Sequence, residues 1–122
     1  MAQSDYLAGN FEVRRSDDDE LFRQASAAWE AGTAPAILPR IERALASSRD
    51  YRLWHIHGLI LRQLDRREDA LPSLRRAVGL KPDAVKPAIA LAQTSYEAGL
   101  DSVDAYGRAL QLSPGNPEIV TG

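Results

Sequence analysis

The sequence has no cysteine, only two histidines and no long apolar run. Without cysteine, neither a disulfide nor thiolate chemistry can occur. No run approaches the roughly 20 apolar residues that a membrane-spanning helix needs, and residues 1–15 lack the apolar stretch of a secretory signal. The expectation is therefore a soluble, cytoplasmic protein without a membrane partner, although a longer parent chain could carry targeting information of its own.

The charge is nearly balanced, with a formal net charge of −2, but it is unevenly distributed. Residues 51–84 carry seven basic and four acidic residues, whereas residues 1–50 and 85–122 are both acidic. Nucleic-acid binding usually needs a basic face on the whole domain, so this distribution predicts no nucleic-acid partner. The basic middle segment leaves room for an acidic partner.

The two histidines, His55 and His57, invite a comparison with metal sites. On a helix, residues two apart point about 200° apart around the axis, so these two cannot chelate one ion from the same face. A zinc site would also need further ligands, and no other histidine or cysteine is present. The sequence also has neither a Gly-rich phosphate loop nor a Ser-His-Asp arrangement with a credible base. It thus predicts no metal, no cofactor and no enzyme activity within this chain.

From residue 17 onward, apolar residues recur at three- and four-residue spacing, which indicates helices and no sheet. Ser16 can cap the first of these helices, and the acidic residues 17–20 would then lie at the positive end of its dipole. Residues 1–15 show no helical period. The sequence therefore predicts an N-terminal arm over residues 1–15 and a first helix that begins at Ser16.

Turn signals recur at intervals of about 33 residues, which is typical of repeat architectures. Gly32, Asp65 and Gly99 mark turns within successive helix pairs. Pro39 and Pro72 lie in the second helices of their pairs, where proline deletes a helical hydrogen bond. A kink or a late helix start is predicted at both prolines.

Residues 51–84 show the repeat most clearly. Counted from Tyr51, large and small residues occupy set positions before a closing proline: Trp54, Gly58, Leu61, Ala70, Leu74, Ala77 and Pro82. This pattern resembles the tetratricopeptide repeat, a 34-residue helix-turn-helix unit. The small residues would let two antiparallel helices approach closely, and Pro82 would end the second helix.

The flanking repeats follow the pattern more weakly. Arg49 replaces the closing proline of the first repeat, and the third repeat fits only if two residues are deleted after Gly99. The predicted division has three repeats within residues 16–116, at about 17–50, 51–84 and 85–116. Residues 117–122 would be the start of a truncated further repeat or a tail.

The resemblance implies an all-α fold, a right-handed superhelical stack of about three antiparallel helix pairs. It also implies a concave groove for a partner segment. The groove positions in this sequence are Phe22, Trp29, Arg52, His55, Leu59, Arg62, Lys86, Ile89, Gln93 and Tyr96. His57 falls among the packed positions, so we expect a core histidine that is hydrogen-bonded to a neighbour.

What the resemblance implies for function is a non-enzymatic scaffold that binds a protein or peptide. Because the groove combines Arg52, Arg62 and Lys86 with apolar residues, we expect an extended peptide of acidic character with one apolar anchor. Two alternatives stay open, since apolar residues such as Val103 and Leu110 predict an uncapped last helix. The chain would then be the N-terminal region of a larger multidomain protein, with an enzyme domain downstream, or a module that forms a homodimer through this end.

Overall fold

The chain folds into helices. The computed structural model describes the backbone of residues 2–116 and the side chains of residues 17–116, and it contains no strand within that range. The helices are α1 (Ala2–Ala31), α2 (Leu38–Leu45), α3 (Tyr51–Gln63), α4 (Arg67–Leu80), α5 (Val85–Glu97) and α6 (Val103–Leu112). A short 3₁₀ helix, Ala34–Ala36, precedes α2.

Consecutive helices pack against each other as three pairs, α1 with α2, α3 with α4, and α5 with α6. The pairs stack because α3 also packs on α1 and α2, and α5 packs on α4 and α3. The first helices of the pairs are therefore neighbours, which is the arrangement that brings the predicted groove positions together.

The turn within each pair uses the same backbone conformation. Gly32, Asp65 and Gly99 have φ values of 77°, 64° and 76°, in the left-handed region. Glycine adopts this conformation without a steric penalty, whereas an L-residue with a side chain does so at a cost. The three predicted turns are confirmed, and only the middle one is made by a residue with a side chain.

The tightest packing lies between α3 and α4. Leu53, Ile60 and Leu61 of α3 and Leu74 of α4 are fully or almost fully buried. A Cβ atom added at Gly58 would lie 2.6 Å from both Cγ and Cδ2 of Leu74. This distance is well inside van der Waals contact, so the small residue expected at this repeat position is required by its neighbour.

The predicted start of the first helix at Ser16 is wrong, because α1 is continuous from Ala2 to Ala31. Residues 2–15 contain no proline, and a helix that has been nucleated further along the chain extends at little cost per residue. The acidic residues 17–20 therefore lie inside a helix instead of at its first turn. The assignment of residues 1–15 as an arm and the division into repeats stay predictions, and residues 117–122 lie outside the described part.

The two prolines behave differently. Pro39 is the second residue of α2, so the predicted late helix start is found there. Pro72 lies within α4, which begins five residues earlier at Arg67 and continues to Leu80, so the helix does not start late at this position, and a kink there stays a prediction. Both Pro72 and Glu68, whose carbonyl loses the helical hydrogen bond, are exposed. Water can satisfy that carbonyl, which lowers the cost of proline inside the helix.

Among the described residues, no helix combines the length and the apolar character that crossing a membrane requires. In the same part of the chain, no group of three or more His, Cys, Asp or Glu side chains is arranged to hold a metal ion. The cytoplasmic location stays a prediction.

Candidate functional site

Helices α1 and α3 and the start of α5 enclose a concave pocket of about 440 Å³. Six of the ten predicted groove residues line it: Phe22, Trp29, Arg52, His55, Leu59 and Lys86. The remaining lining residues are Ser26, Glu30, Tyr51, Ile56, Ala84, Val85 and Pro87. We call this cavity the anchor pocket.

The start of α3 positions one wall of the anchor pocket. Asp50 caps the helix, because its Oδ1 accepts a hydrogen bond of 3.0 Å from the backbone N–H of Arg52. Arg52, His55 and Leu59 then follow at spacings of three and four residues, which places them on one face of the helix. The cap therefore fixes where the wall begins.

Arg52 is held by its own chain. Its guanidinium donates to Asp50 at 3.0 and 2.7 Å, pairs with Asp19 on α1, and lies 4.9 Å from the ring centroid of Phe22. The hydrogen bonds to Asp50 and then Asp19 raise the pKa of Arg52 above its usual value. With two carboxylates around it, Arg52 joins the first and second helix pairs and is not a free cation in the groove.

His55 of α3 and Lys86 of α5 both line the anchor pocket. Burial, followed by the nearby charge of Lys86, lowers the pKa of His55 to about 4. The imidazole is therefore neutral at neutral pH. Lys86 is exposed and pairs with no carboxylate among the described side chains, so it is the cation that this pocket offers to a ligand.

A smaller cavity of about 230 Å³ adjoins the anchor pocket and shares Trp29 and Leu59 with it. Arg62, which lines this cavity, donates to the carboxylate of Glu97 through Nε at 2.7 Å and Nη2 at 2.8 Å. These bonds lower the pKa of Glu97 and raise that of Arg62. Arg62 thus links the second and third helix pairs. Two of its guanidinium nitrogens already donate to the carboxylate of Glu97, so they are not free to bind a carboxylate of a ligand.

The remaining predicted groove residues on α5, which are Ile89, Gln93 and Tyr96, lie in three different environments. Gln93 is half-buried, and its amide oxygen lies 3.4 Å from Nη1 of Arg62. Tyr96 is 62% exposed and lies outside both cavities. The prediction for Ile89 is wrong, because this side chain is only 4% exposed and packs with Ala88 and Ala109. Lys86 of the same helix does line the anchor pocket, so the positions carried over to α5 agree with the structure only in part.

His57 confirms the prediction of a hydrogen-bonded core histidine. Its Nδ1 lies 2.6 Å from Oγ of Ser73, and its Nε2 lies 3.1 Å from Oε2 of Glu42. The sequence did not reveal this Ser-His-Glu chain, because its members come from three helices and share no local motif. Ser73 and His57 are buried and neither lines the anchor pocket, so the chain links α2, α3 and α4 through polar contacts.

Sequence reasoning also missed the part of the anchor pocket that Val85 and Pro87 form. Both residues flank Lys86 at the first turn of α5. The available signal was their position at the start of a first helix, directly after the loop that joins two pairs. Which residues of one pair face the preceding pair depends on how the pairs stack.

Comparisons with known proteins bear on the fold. No protein-family model and no curated protein matches the chain. Among solved structures, the chain is similar to the crystal structure of MamA, with a TM-score of 0.76 and 16% sequence identity. The match covers 88% of this chain and 67% of that chain. MamA has the tetratricopeptide-repeat fold, so the likeness confirms the predicted fold class, an all-α solenoid of tetratricopeptide-like helix pairs.

Proposed function

We propose that this chain is a non-enzymatic protein-interaction module that binds a segment of a partner protein in the groove formed by α1, α3 and α5. The observation that carries the proposal is the anchor pocket, whose volume of about 440 Å³ suits one or two side chains of a ligand. Binding sites of this kind are concave, mostly apolar and provided with a few polar groups. The fold supports the same conclusion, since stacked helix pairs present extended concave surfaces.

The apolar part of the pocket would supply most of the affinity. Trp29 and Leu59 are half-buried and pack against the core, so their exposed portions are held in place before a ligand arrives. Burying an apolar side chain of the ligand against them would contribute about 1.5–3 kcal/mol. A preformed wall adds to affinity because little conformational entropy is lost on binding.

The preference for an acidic peptide, expected from the sequence, is narrowed here to a single acidic group. Arg52 and Arg62 are each paired with carboxylates of the same chain, which leaves Lys86 as the unpaired cation at the anchor pocket. We therefore propose a ligand with an apolar anchor and one acidic group beside it, which pairs with Lys86. An exposed ion pair contributes only about 0.2–1 kcal/mol, so the anchor outweighs the charge.

A binding titration with four peptides tests both parts. The peptides combine an apolar or alanine anchor with a flanking glutamate or lysine. Intrinsic tryptophan fluorescence reports binding, since Trp29 lines the anchor pocket and Trp54, the second tryptophan, does not. The apolar anchor with glutamate should bind best, and loss of the anchor should weaken binding by more than loss of the glutamate. Equal affinity for all four peptides would refute the proposal.

Matched variants locate the site. Ser26 lines the anchor pocket, whereas its neighbour Ala27 is exposed and does not. Ser26→Tyr fills the pocket and should lower affinity about tenfold or more, which corresponds to about 1.4 kcal/mol. Ala27→Tyr should leave affinity unchanged. Lys86→Glu should weaken only the glutamate-containing peptides, while Lys81→Glu, outside the pocket, should weaken none.

A place in a longer multidomain protein stays a prediction. The MamA structure extends beyond the part that this chain covers, but the likeness concerns the fold alone.

A further inference from the structure

The surface of α6 differs from the same surface of the other second helices. Leu38, Leu71 and Val103 each lie six residues before an alanine that packs inside the pair, so they occupy one register position. Their exposed fractions are 9%, 4% and 74%. The first two are buried because α3 packs on α2 and α5 packs on α4. Within residues 17–116, no helix covers α6 in the same way.

The exposed face of α6 carries apolar and small residues, which are the residue types that pack helices together. Val103, Gly107 and Leu110 follow at spacings of four and three residues, so they lie along one side of the helix. Leu110 is 42% exposed, and Leu100, which is 48% exposed, adds apolar surface at the same end of the stack. Another helix packed on this side would cover α6 as α3 covers α2 and α5 covers α4.

Gly107 lies within α6 and, like Gly79 of α4, is a helical glycine at an exposed position. A Cβ atom added there would meet nothing within 4 Å, so packing inside this chain does not require glycine. Glycine in a helix costs about 1 kcal/mol relative to alanine. The close packing of another helix would provide a physical reason for it, as the packing of Leu74 of α4 does for Gly58 inside the chain.

The charges beside this face indicate which helix approaches. Asp104 and Arg108 lie on α6, and neither forms an ion pair among the described side chains. Arg108 donates one hydrogen bond, of 3.1 Å, from Nη2 to the carbonyl of Pro82, and its other N–H groups remain for further acceptors. A second α6 packed antiparallel across Gly107 would place each Asp104 near the other Arg108. A parallel arrangement would oppose like charges.

We propose that this face, which we call the α6 face, binds the α6 face of a second copy of the chain in an antiparallel, twofold-symmetric dimer. A twofold interface must be complementary to itself. The α6 face meets this condition, because its apolar residues flank a central glycine and its two charges are opposite and exchange places in the antiparallel arrangement. The dimer is independent of the groove, which lies on the first helices.

Light scattering after size exclusion, over a wide range of protein concentration, tests the proposal. The mass should rise from the monomer value of 13.4 kDa toward twice that value as concentration increases. Val103→Arg should weaken dimerisation about tenfold or more. Because Val103 is exposed, this variant should keep its helical circular dichroism. A chain that stays monomeric at every concentration, or a dimer that Val103→Arg does not weaken, overturns the proposal.

Charge reversal tests the antiparallel orientation. Asp104→Arg and Arg108→Asp should each weaken the dimer, and the double variant should restore it. Arg75→Asp, at an exposed position on α4, is the matched control and should have no effect. Single variants that dimerise as well as the wild type, or a double variant weaker than either single one, would exclude the proposed pairing.

Discussion

Gly58 lies on α3 where this helix packs against Leu74 of α4, and the distance between them predicts an unusual result. Replacing a helical glycine by alanine normally stabilises a protein by about 1 kcal/mol. At Gly58 the added Cβ would lie 2.6 Å from Cγ and Cδ2 of Leu74, whereas carbon atoms in contact prefer about 3.5–4.0 Å. Leu74 is fully buried, so it cannot swing into solvent to make room.

The size of the effect follows from these two opposing contributions. Forcing an extra methyl group into a packed core costs about 1–3 kcal/mol. The steric cost at Gly58 lies toward the upper end, because both Leu74 atoms belong to the branched end of the side chain and its position is fixed by the surrounding core. After the helix-propensity gain is subtracted, Gly58→Ala should lower the free energy of unfolding by about 1–2 kcal/mol.

Urea denaturation followed by circular dichroism measures this change. Gly79→Ala is the matched control, because Gly79 lies in α4 and its added Cβ would meet nothing within 4 Å. It should raise the free energy of unfolding by about 0.5–1 kcal/mol. In a double-mutant cycle, Leu74→Ala should cost less in a protein that already carries Gly58→Ala than in the wild type, because it removes the clash. A Gly58→Ala protein as stable as the wild type would refute the reasoning.

Two further predictions concern the turn at Asp65 and the histidine in the anchor pocket. Asp65→Gly should raise the free energy of unfolding by about 1 kcal/mol, since Asp65 has a φ of 64° that glycine adopts without strain. Thermal denaturation should show a higher melting temperature for this variant, and an unchanged or lower melting temperature would contradict the prediction. For His55, the folded pKa of about 4 lies below the ordinary value of 6.5, so the unfolded chain takes up the proton first and stability falls as pH falls from about 6.5 to about 4. Urea denaturation at pH 7 and pH 5 should therefore show that His55→Gln loses less free energy of unfolding on acidification than the wild type does. An equal loss in the two proteins, or a pKa of His55 near 6.5 in an NMR titration, would exclude a neutral His55 in the anchor pocket.

Periodicity, together with the resemblance to the tetratricopeptide repeat, predicted the parts of the fold that depend on neighbours along the chain. The turns at Gly32, Asp65 and Gly99, the small residue at Gly58 and the end of α4 before Pro82 all follow from the repeat. Each of these features is a local conformation, or a contact between two helices joined by a short turn. Such contacts repeat with the sequence and can therefore be recognised in it.

The prediction of the helix start at Ser16 failed for a different reason. The acidic residues 17–20 are favourable near a helix start, but they do not force one. No proline or glycine at residues 12–16 stops the helix, so α1 extends back to Ala2. Helix boundaries depend on what ends a helix as much as on what favours its beginning.

The charges of the groove could not be predicted from the sequence. Arg52 and Arg62 are on the expected face of α3, yet their partners, Asp19 and Glu97, lie about one repeat away on α1 and α5. The sequence shows how many charges a face carries, but the pairing depends on the stacking distance between helix pairs. The same holds for the contacts of His57 with Ser73 and Glu42.

By itself, the sequence indicated a chain of helix pairs, because turn signals recur about every 33 residues and large and small residues alternate at helical spacing between them. The resemblance to the tetratricopeptide repeat implied groove positions for Trp29, His55, Leu59 and Lys86, and all four line the anchor pocket. Only the tertiary structure decided which cation of the groove is unpaired and which apolar residues are uncovered. The free charge of Lys86 and the exposure of Val103 both depend on which helix lies against which, and that is a property of the stack rather than of any single repeat.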